Sequence, residues 1–260
     1  MTPLILLLTL NLFAQETTDS SYVNHDVMKI TEQNLTLYAI RYGVGPYPIK
    51  FIDSRTSSGT VDFDWLFWLI EWKDKLVLID TGFNEQKYVE KFGLIRHNDP
   101  VHLIAQLGFE PTQVTDIIIT HSHFDHIGNT HRFPRANIWI QEKEFASFTK
   151  TNRYKDQSDW YNEASKSNRL HLIDGDKEIS PGIFVQHTGG HTVGHQIIIL
   201  KHTQTHVFVG DECYTNVLCQ EKIPLPSSAV FSQKNNQAFL DSLQSMYDTN
   251  VQVHLLHDFK

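Results

Sequence analysis

The sequence predicts an α/β domain in which two β-sheets are covered by helices. Three observations carry this reading. Short apolar runs with strand character recur from Leu35 to Leu256, segments of helical spacing fall between them, and the strands come in runs rather than in strict alternation with helices. A chain of 260 residues with 40% hydrophobic and 20% charged residues has ample material for one such core.

Leu4 to Phe13 is almost wholly apolar, and Ala14-Gln15 offers a small residue at a cleavage point. The run is too short for a bilayer, which takes about 20 apolar residues. We therefore expect a signal peptide over residues 1–14, a flexible polar lead over 15–21 and one domain over 22–260. The protein is expected to be exported, and with no cysteine after the apolar run it is expected to lack a stable membrane anchor. Strands are expected at Leu35 to Tyr42, Leu66 to Trp72 and Lys75 to Ile79. Glu85 to Phe92 and Val101 to Leu107 have helical spacing, and Gly93 and Gly108 stop them. Asp116 to Thr120 and Ile138 to Ile140 read as strands, followed by a helix at Glu142 to Phe148. Ile183 to Gln186, Gln196 to Leu200 and Val207 to Val209 give three more strands, then a helix over Asn236 to Tyr247 and a last strand over Val251 to Leu256.

The net charge of −8 argues against nucleic acid or an anionic membrane as partner, because both demand a basic surface. Fifteen histidines raise the expectation of a metal enzyme. The string His121-Ser122-His123-Phe124-Asp125-His126 follows the apolar run Ile117-Ile118-Ile119 directly. A strand that continues into alternating histidines would project both rings to one side, and the next turn would bring a carboxylate and a third imidazole. Imidazole and carboxylate together suit zinc and similar first-row divalent metals. Other strands also end in ligand-type residues: Thr188-Gly189-Gly190-His191, Gly210-Asp211 and His257-Asp258. The resulting set is His121, His123, Asp125, His126, His191, Asp211 and His257. Seven ligands exceed one tetrahedral zinc and divide into two sites sharing a carboxylate. A lone histidine is more often a packed or surface residue, and His25, His97, His102, His131, His171, His187, His202, His206 and His254 are read that way.

On these motifs, with Ile79-Asp80-Thr81-Gly82 and Gly190-His191-Thr192-Val193-Gly194-His195, the chain resembles the metallo-β-lactamase superfamily from about Leu66 onward. The resemblance implies a four-layer αβ/βα sandwich. It also implies His121, His123 and His191 on a first metal, Asp125, His126 and His257 on a second, and Asp211 between them. Within the superfamily, Gly210-Asp211-Glu212-Cys213-Tyr214-Thr215 is most similar to the N-acyl-homoserine lactone lactonases, the quorum-quenching branch. That implies two zinc ions per chain, a small-molecule lactone substrate and ring opening by a metal-bound hydroxide. Tyr214 would donate to the oxyanion or ring oxygen, and Asp125 would carry the proton to the departing alkoxide. The alternatives are another hydrolase of this fold, acting on a different ester, a thioester, a β-lactam or a phosphotriester, and a metal-binding relative without activity.

Asp80 and His195 are read as supports for ligands rather than ligands. Phe63, Trp65 and Phe67 alternate onto one face, where some could line an acyl-chain channel, with Trp68 opposite. Phe145, Phe148, Tyr154, Trp160 and Tyr161 could cap the site, and core packing explains them equally well. Cys213 and Cys219 are expected to stay unbridged, since a bridge would constrain the turn that carries Asp211 and Tyr214.

Overall fold

The computed structural model describes residues 19–151, 155–247 and 250–259. The chain opens with strands β1 (Asp19–Asn24), β2 (Val27–Glu32), β3 (Leu35–Pro48), β4 (Thr60–Trp72) and β5 (Lys75–Ile79). Helix α1 (Gln86–Phe92), the short β6 (Arg96–His97) and α2 (Pro100–Gln106) lead to β7 (Asp116–Ile118). Then come α3 (Phe124–Ile127), β8 (Asn137–Gln141), α4 (Glu142–Thr149), α5 (Lys155–Lys166) and β9 (Leu170–Ile173). The second sheet is built from β10 (Lys177–Ser180), β11 (Ile183–His187), β12 (Gln196–Lys201), β13 (Thr205–Phe208) and β14 (Val251–His254), with α6 (Asn216–Gln220) and α7 (Gln233–Tyr247) before its last strand.

The first sheet runs β1-β2-β3-β4-β5-β7-β8-β9, with β6 beside β3, and the second runs β10-β11-β12-β13-β14. Alternation along the strands sorts the side chains into layers. Leu37, Trp68, Ile79 and Ile118 of the first sheet meet Val185, Ile198, Leu200 and Phe208 of the second in one core. On the outer face of the first sheet Ile40, Phe67, Leu78 and Ile117 pack with Leu103 of α2, Phe148 of α4 and Tyr161 of α5. Ile197 and Val207 turn outward from the second sheet onto Phe239, Leu240 and Leu243 of α7. The result is the expected order of helices, sheet, sheet and helices. A fully buried side chain of this size contributes roughly 1.5–3 kcal/mol, so the inner layer fixes which strand ends face each other.

The polar residues Asp19, Ser20 and Ser21, expected in a flexible lead, instead begin β1 and pair with Thr31, Ile30 and Lys29 of β2. The strand is exposed along its length, so backbone pairing rather than burial makes it. The lead before Asp19 and the expected signal peptide fall outside the described residues. Phe148 and Tyr161 are buried core residues with Phe145 and Trp160 packed against them, so core packing accounts for them; Tyr154 lies outside the described residues.

Cys213 and Cys219 form a disulfide, which corrects the expectation of free thiols. The turn after Asp211 folds back into α6, whose N-cap Thr215 accepts from the Leu218 amide, and this brings the two Cα atoms to 5.6 Å. Both cysteines are buried against α7 and the second sheet. The bridge therefore lies behind the Asp211 turn, on the side away from the ligand side chains.

Candidate metal centre

The seven ligand-type residues converge where strand ends from both sheets meet. The Gln196 amide donates to the Thr120 carbonyl at 3.0 Å, and the Leu66 amide to Leu256 at 3.1 Å, so the seam is tied at both flanks. Strand β7 stops at Ile118, three residues before His121. The rings of His121 and His123 therefore converge through a turn into α3 rather than through strand alternation, with His123 as the N-cap and Asp125 and His126 inside the helix.

Two groups of donor atoms result, His121, His123, His191 and Asp211 in one and Asp125, His126 and His257 in the other, each within 4.8 Å. His123 Nδ1 faces His121 Nε2 at 2.8 Å and His191 Nε2 at 3.1 Å. Asp211 divides its carboxylate between the groups. Its Oδ2 lies 3.7 Å from His121 and 3.6 Å from His191, while its Oδ1 lies 3.3 Å from His126 and 3.2 Å from His257. Asp125 Oδ2 is 3.6 Å from His126 and 4.0 Å from His257.

The electrostatics favour cations. Burial, then the neighbouring imidazole of His126, holds His121 well below its ordinary range. Burial likewise holds His191 well below it, so both keep neutral rings with a free lone pair. Burial opposes charge on His126 too, but Asp211, Asp125 and Asp80 outweigh it and hold this ring well above the usual value. His126 Nε2 is buried with no hydrogen-bond partner among the described residues. Three ring nitrogens facing one another at 2.8 and 3.1 Å share at most one useful hydrogen, and the other lone pairs point at each other. Divalent metal ions fit this donor set, and zinc suits its imidazoles and carboxylates.

The supporting residues set the tautomers. His126 Nδ1 donates to Asp80 at 2.6 Å, and Thr120 donates to the same carboxylate from its amide and its hydroxyl at 2.8 and 2.7 Å. Asp80 holds a left-handed backbone at φ 59°, a conformation uncommon outside glycine that places its carboxylate under His126. His257 Nδ1 donates to the Asp64 carbonyl at 2.9 Å, and the Asp64 side chain accepts from the Phe259 amide at 3.1 Å. His195 accepts at Nε2 from the Asp211 amide at 3.1 Å, fixing from behind the residue whose carboxylate faces both groups.

Sequence reasoning missed two buried carboxylates. Glu144 of α4 accepts from the Ser122 amide and hydroxyl at 2.8 and 2.6 Å, and from the Thr192 hydroxyl and Gly194 amide at 2.8 and 2.9 Å. It joins the loop between His121 and His123 to the loop after His191. Hydrogen bonds to a charged group contribute about 1.5–3 kcal/mol each, so four offset a desolvation cost of several kcal/mol. Glu212 accepts from the Gly190 and His191 amides at 2.9 and 3.3 Å and from Asn236 at 2.8 Å. A Cβ at Gly190 would collide with the Glu212 carboxylate, which explains that glycine. The available signal for Glu144 was a carboxylate four residues before Phe148, on the helical face that carries apolar contacts.

A cleft of about 430 Å³ opens over the two groups, and Phe63, Trp65 and Tyr214 line it together with Asp125, Asp211 and His257. The Tyr214 ring lies 5.3 Å from that of His257 and 6.1 Å from that of His191. Burial and then the Asp211 charge hold its phenol well above its ordinary value. Phe67 sits in the core behind the cleft, and Trp68 faces the other sheet, where it packs on His254 at 4.5 Å. His254 pairs with His206 at 2.9 Å, away from the cluster.

The profile described as the metallo-beta-lactamase superfamily matches residues 66–246. An N-acyl homoserine lactonase of Bacillus sp is 27% identical over 172 residues, 60% of this chain and 67% of that relative. The solved structure of an N-acyl homoserine lactone hydrolase with the product N-hexanoyl-L-homoserine bound superposes with a TM-score of 0.71 at 22% identity, over 86% of this chain and 93% of that one. A probable metal-dependent hydrolase from Staphylococcus aureus gives 0.75 at 19% identity, over 86% and 90%. At these identities the two structures speak for the fold alone.

Proposed function

The chain belongs to the metallo-beta-lactamase superfamily, and from that premise we propose that it is a dinuclear zinc lactonase that opens the ring of N-acyl-homoserine lactones. The observation that carries the reading is the division of Asp211 between two imidazole groups, with Tyr214 three residues later in the same cleft. Named relatives with lactonase activity support the substrate class. Two divalent ions held by the seven residues would supply a nucleophilic water at neutral pH and Lewis acidity toward an ester carbonyl.

The side chains perform the remaining steps. Asp80, Asp64 and His195 hold His126, His257 and Asp211 in the orientation that presents their free atoms to the cleft. Tyr214, kept protonated, donates to the oxygen on which charge develops as the carbonyl becomes tetrahedral. Asp125, at the cleft wall in the second group, receives a proton and returns it to the leaving alkoxide. The apolar wall that includes Phe63 and Trp65 excludes water and takes the acyl chain. Such a substrate is neutral, in keeping with a protein of net charge −8 and no role in binding nucleic acid.

We place the enzyme outside the cytoplasm. The apolar Leu4 to Phe13 run and the Cys213–Cys219 bridge both support export, because disulfides persist in oxidising compartments. No helix among the described residues is long and apolar enough to cross a membrane.

A hydrolysis panel of acyl-homoserine lactones, β-lactams, thioesters and phosphotriesters on the metal-loaded protein tests the substrate. Lactones should lead it. Faster turnover of another class would reassign the substrate and leave the metallo-hydrolase.

A further inference from the structure

The cleft holds a second phenol that none of these steps uses. Tyr47, near the end of β3, lines it together with Tyr214, Asp125 and Asp211. Two aromatic rings stack with its own. Phe63 stacks on it at 4.5 Å between centroids and 19° between planes, and Phe92 at 6.1 Å and 22°. Phe63 stacks in turn on the ligand candidate His257 at 4.2 Å and 19°. Stacked aromatic pairs are favourable beyond their burial, so this column fixes the Tyr47 ring relative to the second group of ligand candidates.

The hydroxyl of Tyr47 differs from those of its neighbours. Tyr42 donates to the Asp125 carbonyl at 3.2 Å and Tyr161 to Thr130 at 3.4 Å. Among the described residues the Tyr47 hydroxyl has no hydrogen-bond partner, and it is not sealed away from the cleft. Burial, and then the charges of Asp125 and Asp211, push its ionisation up, so it remains a donor at any working pH. A rigid, unpaired donor at the edge of a reaction centre is completed by an acceptor that the ligand brings.

We infer that Tyr47 is a specificity-determining residue that donates to a second acceptor on the substrate, the acylamino carbonyl beside the lactone ring, while Tyr214 serves the ester group. The inference rests on the lactonase reading and deepens it. The two phenols would then select α-acylamino lactones over lactones bearing only an alkyl chain.

Tyr47→Phe in the zinc-loaded full chain tests this, since phenylalanine keeps the ring column. The substrates are N-hexanoyl-homoserine lactone and an alkyl γ-lactone of similar length without the amide. For the acylamino lactone kcat/KM should fall by about 3- to 10-fold, as for a lost neutral hydrogen bond, while the alkyl lactone changes by less than about 2-fold. Zinc content should be unchanged. An equal loss on both lactones would mean that Tyr47 only shapes the cleft, and no loss on the acylamino lactone would mean that it donates nothing to it. Either result overturns the inference. Wild-type protein that opens neither lactone would overturn the lactonase reading first, and the role of Tyr47 with it.

Discussion

Oδ1 of Asp211 lies 3.2 Å from Nε2 of His257, and this contact joins the last strand end to the centre of the cluster. The other oxygen of the same carboxylate faces His121 and His191. One side chain therefore serves two groups, whereas His257 serves one.

That asymmetry gives distinct metal contents. Purified protein should carry close to two zinc ions per chain by elemental analysis. Asp211→Ala should deplete both groups, while His257→Ala should deplete mainly the group shared with His126 and Asp125. Wild-type protein that saturates at one ion would refute the two-metal reading.

Much of this candidate centre was legible in the sequence because its ligand-type residues follow strand ends, and strand ends are marked by an apolar run meeting glycine, histidine or aspartate. Ile117-Ile118-Ile119 before His121, and Val207 to Val209 before Gly210-Asp211, are such marks. Long strands were read short, since β3 continues through Gly43 and Gly45 to Pro48, where residue-type preference argues against a strand but pairing with β4 sustains one. The edge strand β1 has only the exposed pair Tyr22-Val23 to mark it, and the short β6 has no apolar residue. Glu144, Glu212 and Tyr47 were missed for another reason. Their roles arise from contacts between distant segments, and no local spacing announces them. The disulfide was misjudged because a bridge at Cys213 was expected to strain the Asp211 turn, whereas the turn into α6 carries the sulfur away from the cleft.

Glu144 gives a stability prediction. Glu144→Gln keeps one acceptor oxygen but puts an amide NH2 against two donors, either the Ser122 pair or the Thr192–Gly194 pair. Leaving two buried donors opposed should cost about 2–4 kcal/mol. For a domain of this size that lowers Tm by about 5–15 °C, measurable by calorimetry on metal-loaded protein. An unchanged Tm would show that the carboxylate is not what holds the two loops.

The Cys213–Cys219 bridge closes a short loop, with a sequence separation of 6. Chain entropy for such a loop assigns it about 2 kcal/mol. The double variant Cys213→Ala, Cys219→Ala should therefore be less stable by about that amount in urea unfolding. Wild-type protein treated with a dithiol should match it. The bridge also bears on location: protein isolated from its source should begin near Gln15 and be oxidised at both cysteines. An intact Met1 with free thiols would place it in a reducing compartment.

Tyr214 separates its proposed chemical role from a packing role. Tyr214→Phe should retain both zinc ions, because the phenol is not needed as a ligand, and its ring contacts with Phe63 and His257 remain available. Its kcat on an acyl-homoserine lactone should fall by roughly 10- to 10³-fold, a range that reaches up to the loss of about 10²–10³-fold found for other oxyanion donors. The lower part of that range is expected, since metal ions at the centre would already stabilise much of the charge. The pH dependence adds a second readout. Burial and the Asp211 charge raise the phenol's ionisation, so the donor form is present at all lower pH and disappears only as pH climbs through the raised value. Wild-type protein and the variant should therefore give pH–rate profiles of the same shape from about pH 6 to pH 9, displaced by a constant factor. An unchanged kcat would return Tyr214 to packing. A profile whose alkaline limb disappears in the variant would mean that the phenol ionises within the working range, contrary to its surroundings.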